Sequence, residues 1–129
     1  MPLNFAKPPQ QLTDAVRTTL RDMAQQRQFR IATMANAPAA EIDLASAHPV
    51  YNIGLQDLLG PATLASLQQT AWRFIVPSTG AGDSAAEAHA HPETGAPHFD
   101  SVNAGPFVSG TVSALAQLCL LYTSDAADE

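Results

Sequence analysis

Residues 70–102 read TAWRFIVPSTGAGDSAAEAHAHPETGAPHFDSV, and this stretch decides the fold. Trp72, Phe74 and Val76 alternate with Ala71, Arg73 and Ile75, a period of two that predicts a strand over 70–77. Both of its faces are largely apolar, which makes it a central strand covered on both sides or nearly so. Residues 78–83 (STGAGD) are a turn cluster, and residues 84–91 (SAAEAHAH) alternate small with polar. A turn around Thr94-Gly95 leads into a further strand at 98–102 (HFDSV). Three strands joined this way form an antiparallel meander.

Before the meander, residues 1–10 contain three prolines and no periodicity, the mark of an extended lead-in. Over 11–28, Leu12, Val16, Leu20 and Met23 recur at helical spacing, with Arg17, Arg21 and Asp22 on the other side. Thr13 is the expected N-cap, with Asp14 and Arg27 suiting the helix dipole. The alternation in FRIATM predicts a short strand over 29–34. Residues 35–49 read as a surface loop that could hold a short strand, with a small apolar cluster at Ile42 and Leu44, and 50–54 (VYNIG) as a second strand or extended piece. Leu55, Leu58 and Leu59 give one helical turn ended by Gly60, and a short helix from Pro61 runs to about residue 69. Pro106 opens a last helix with the stripe Val108, Thr111, Val112, Leu115 and Leu118. The element order predicts an α+β fold of two layers: a small, mostly antiparallel sheet with helices packed on one face.

The chain has 129 residues, is 46% hydrophobic and 14% charged, and has a mean hydropathy near zero. That composition excludes a disordered chain and fits one domain with a real core. Seven glycines and one cysteine exclude collagen-like and disulfide-scaffold classes. No apolar run reaches the roughly 18–20 residues of a membrane helix, and the N-terminus lacks the apolar segment of a signal peptide. The expectation is a cytoplasmic protein without membrane contact. Residues 119–129, CLLYTSDAADE, look like one translated frame of a transposase-type sequencing adaptor. They are therefore read as a non-native tail. The body is then a single domain over 11–118, incomplete at its C-terminus. Without the tail the chain has no cysteine, and nine acids face six bases instead of twelve. A mildly acidic chain has no electrostatic footprint for nucleic acid. Abundant alanine and five arginines against one lysine suggest a GC-rich bacterial source.

The segment with most chemistry is Glu87-Ala88-His89-Ala90-His91, followed by Glu93, His98 and Asp100. On a strand, alternate residues share a face, so Glu87, His89 and His91 would project together. His98 or Asp100 would lie opposite if 98–102 pairs with this strand. Imidazoles and a carboxylate converging on one point suit a divalent transition metal. The competing arrangement turns Ala86, Ala88 and Ala90 to the core and leaves the same three side chains as a solvated face. The His-x-His spacing is similar to the cupin metal motif. However, no glutamate follows His91 by three or four residues, so no cupin assignment follows.

Arg73 lies inside an apolar strand and needs a partner. It either binds an anion in a cleft or pairs with an acid such as Glu87 on the neighbouring strand. No Gly-x-Gly-x-x-Gly, Walker A or Gly-x-Ser-x-Gly pattern is present. These absences favour a non-enzymatic binding or accessory module acting through protein contacts, with no cofactor. The alternative is a small metal-binding domain or metalloenzyme built on Glu87, His89 and His91, with His98 near them.

Overall fold

The structure is a computed structural model that describes residues 6–31, 34–35, 37–60, 67–78 and 82–128, with side chains through residue 120. Its elements in chain order are α1 (Gln10–Gln25), a 3-10 turn (Ala39–Glu41), β1 (Ser46–Asn52), α2 (Leu55–Leu59), β2 (Gln68–Val76), β3 (Ser84–Ala90), β4 (Pro97–Ala104) and α3 (Pro106–Asp128). The strands form one antiparallel sheet in the order β1-β2-β3-β4. The chain is thus α+β, and the expected meander is present as β2-β3-β4, with β1 added along β2.

The core follows from the alternation of β2. Phe74 and Val76 turn to one face of the sheet, where they are buried with Ala86 and Ala88 of β3 and with Leu12, Val16 and Leu20 of α1. The three α1 residues are spaced by four, so they form one stripe. α1 lies over β3 and β4. The side chains it meets on β3 are alanines, whose small size lets the helix approach closely. Ile75 and Ala85 point to the opposite face, where Val108 and Val112 from the first turns of α3 pack on them. α1 is therefore the main helical layer, and α3 adds a smaller contact on the other side. α3 continues past Leu118 to Asp128 without a break.

Several local expectations change. α1 starts at Gln10, directly after Pro9, and no side chain caps it. Thr13 is not the N-cap: it sits inside the helix, where its hydroxyl donates to the Pro9 carbonyl at 3.4 Å. Proline at that boundary gives up no needed donor, since the first-turn N–H groups have no helical acceptor anyway. Asp14 accepts instead from Gln10 and Arg17.

The described residues of 29–34 are not a strand. The N–H groups of Met34 and Ala35 both donate to the Ile31 carbonyl, which closes a turn. Phe29 and Met34 are buried in the α1 cluster with Ile42, so the segment is a packed plug whose apolar spacing mimics a strand. Arg17 bonds Asp43 at 3.0 Å and Arg21 bonds the Ile42 carbonyl at 3.1 Å. These arginines tie the long loop down rather than forming only a solvated helix face.

β1 begins at Ser46, four residues before the predicted start, with Pro49 inside it. An edge strand tolerates proline because one row of its N–H groups has no ladder partner. Gln68 and Gln69 are strand residues paired with Asn52 and Tyr51, not the end of a helix. The rest of that predicted helix, residues 61–66, lies outside the described residues, as do the turn residues 79–81.

Candidate functional site

The face of the sheet opposite α1 carries the polar side chains. Antiparallel register aligns His48 of β1 with Arg73 of β2, Arg73 with Glu87 of β3, and Glu87 with Ser101 of β4. The next row holds His89 of β3 beside His98 of β4. Between the two rows the register of β3 and β4 shifts at Glu87 and Ala88, leaving Asp100 as the extra residue of a β-bulge. A bulge turns the additional side chain out of strict alternation. Here it swings the Asp100 carboxylate toward the two imidazoles. One carboxylate oxygen lies 2.8 Å from His89 Nδ1 and the other 3.6 Å from His98 Nε2. The two rings stand 4.9 Å apart, tilted by 47°.

Arg73 donates from Nη2 to Glu87 Oε2 at 3.0 Å, across the two inner strands. This is the cross-strand pair that Arg73 needs, with both side chains partly exposed. His48 is next in the row. Burial pushes its pKa below the ordinary 6.5 and the positive charge of Arg73 adds to that, while Glu87 opposes it.

The residues singled out as metal ligands do not gather as expected. His89 and His98 come together, with Asp100 between them. Glu87 shares their face but bonds Arg73. His91 does not join them, because β3 ends at Ala90 and the chain turns there. The Nδ1 atom of His91 accepts from the backbone N–H of Glu93 at 3.2 Å and lies 3.4 Å from that of Thr94. Strict alternation ends where pairing ends, so a third position on the same face is not available. Among the described residues, no group of three His, Cys, Asp or Glu side chains is placed to hold a metal ion.

Two members of the site carried little signal in the sequence. His48 lay in a stretch read as a loop, and only the β1 register places it beside Arg73. Asp100 was a candidate neighbour of the histidines, but its aim depends on a bulge.

Beside this polar field, a cleft of about 400 Å³ opens between the sheet and the first turns of α3. Arg73, Glu87, Asn103 and Thr111 supply its polar lining, and Ile75, Val108 and Phe107 its apolar lining. Phe107 is 92% exposed, although its ring is the largest apolar group at the start of α3. The hydrogen bond of His89 goes to Asp100, and Ser101 accepts one from Asn103. No helix among the described residues is long and apolar enough to cross a membrane. No protein-family model matches this chain, and neither the curated proteins nor the solved structures include one similar to it.

Proposed function

We propose that this chain is a non-enzymatic bacterial binding or accessory module acting through protein contacts, with the face of the sheet opposite α1 as its contact surface. The observation that carries this reading is the contrast between the two faces. One is sealed by α1, Phe29 and Met34. The other presents paired, partly exposed charges beside an open cleft. Charges that are already paired at a surface contribute little to stability, so the fold itself has small use for them. Interfaces draw their strength from exposed aromatic anchors set among such polar groups, and Phe107 supplies one.

The test is affinity capture with the full chain, the Phe107→Ala/His98→Ala variant and a Thr18→Ala variant on the outer side of α1. A protein held by the wild type and by Thr18→Ala, and lost from the double variant, is the expected result. A partner held equally by all three places the contact elsewhere and overturns the reading.

A second reading, a divalent transition-metal site, retains one specific support: the bulge that brings the Asp100 carboxylate to both His89 and His98. As placed, these three side chains form no metal-holding group, so the rings would have to reorient around an ion. An ion would have to displace the bond between His89 and Asp100. Metal analysis after zinc loading tests it: stoichiometric zinc, lost in His89→Ala and kept in His91→Ala, is the expected signature. Equal zinc content in all three proteins rules it out.

A further inference from the structure

We propose that the cleft between the sheet and α3 binds a small dipolar ligand, an α-amino carboxylate with an apolar or aromatic side chain. This rests on the reading of that face as a binding surface and goes beyond it by naming a ligand class. The floor of the cleft holds both signs of charge side by side, with Arg73 Nη2 3.0 Å from Glu87 Oε2. A simple anion would meet Arg73 but also face Glu87. A simple cation would meet Glu87 but also face Arg73. A ligand with adjacent ammonium and carboxylate groups gains from both, because its charges close an alternating square over the pair.

The groups left over suit that arrangement. The bond to Glu87 engages one of the five N–H donors of a guanidinium and one of the two oxygens of a carboxylate. Asn103 lines the same cleft and adds an amide. An apolar side chain on the ligand has its own surface in Val108 and Phe107. The exposure of Phe107, at 92%, is otherwise unexplained by the packing of α3. A volume of about 400 Å³ is at the lower end of the range for small-molecule sites.

The experiment is a backbone amide NMR titration of the full chain with L-phenylalanine, 3-phenylpropionate and phenethylamine. The last two each keep one charge and the ring. We expect saturable shifts for L-phenylalanine at Asn103, Phe107 and Thr111, and binding at least about tenfold weaker for either control. Glu87→Gln should abolish the preference over 3-phenylpropionate. Phe107→Ala, at a position too exposed to affect folding, should weaken binding of L-phenylalanine severalfold. Equal binding of all three compounds, shifts confined to other regions, or no saturable shift overturns the proposal. If the titration fails while the partner capture above succeeds, only the ligand assignment falls. If capture fails as well, the contact surface itself was misplaced.

Discussion

His91 and His48 show how a single side chain takes its role from where pairing starts and stops. The ring of His91 lies at the end of β3 and accepts the N–H of Glu93 within the turn. Its replacement by alanine leaves that turn donor to water, so the β3-β4 hairpin should lose about 0.5–1.5 kcal/mol. Urea unfolding measures this, and a loss near zero would show that the bond does not hold the turn. His48 is the pH-sensitive member of the polar row. Its pKa in the folded chain is lowered from 6.5 by burial first and by Arg73 second. The unfolded chain therefore binds more protons between the folded value and 6.5, and stability rises with pH across that window. The contribution is complete above the unfolded value and is lost as pH falls through the folded one. His48→Gln should flatten that part of the stability profile, as read by thermal melts in a pH series. An unchanged slope would remove His48 as its source. Neither role could be read from the sequence, because each depends on a register. The shared face of Glu87 and His89 could be read, because alternation within a paired strand fixes it. The Arg73-Glu87 pair was legible for the same reason: an arginine inside an apolar strand seeks an acid across the ladder.

At the level of elements, sequence pattern worked where an element supplies its own period and failed where tertiary contacts supply the order. The stripe of α1 and the alternation of β2 are strong because Leu12, Val16 and Leu20 on one, and Phe74 and Val76 on the other, are fully buried. The segment after α1 also carries spaced apolar residues, Phe29, Ile31 and Met34, yet it forms a turn rather than a strand. Its residues are fixed by the cluster they fill, not by a neighbouring strand. β1 runs back to Ser46 through Pro49, and its place at the edge of the sheet is what makes a proline there tolerable. If the plug is part of the core, truncating it should cost as much as truncating a helix residue. Phe29→Ala should destabilise by about 3 kcal/mol, comparable with Leu20→Ala. Denaturant unfolding of both variants provides the comparison. A cost under about 0.5 kcal/mol for Phe29→Ala, the size usual for a surface site, would mean that the loop merely rests on the body.

The whole molecule is held together on one side far more than on the other. α1, the plug and the Ile42 segment close around Phe74, with Arg17 and Arg21 fastening the loop to the helix. On the opposite side, Val108 is the one buried residue among the described side chains of α3, and Val112 packs beside it. From Ala116 to Leu120 the described side chains are exposed. The stretch of α3 from Ala116 to Leu120 thus contributes no burial to the body. Deleting residues 119–129 should change the unfolding free energy by no more than about 0.5 kcal/mol. Val108→Ala, which empties a buried position between Ile75 and Ala85, should cost more than that deletion. The deletion also removes Leu120, a 69% exposed leucine, so the shortened chain should associate less. Chemical denaturation reads the first effect, and sedimentation at two concentrations reads the second. A deletion that costs as much as a core truncation would show that the tail of α3 folds back on the body, and the open face described above would then be partly closed.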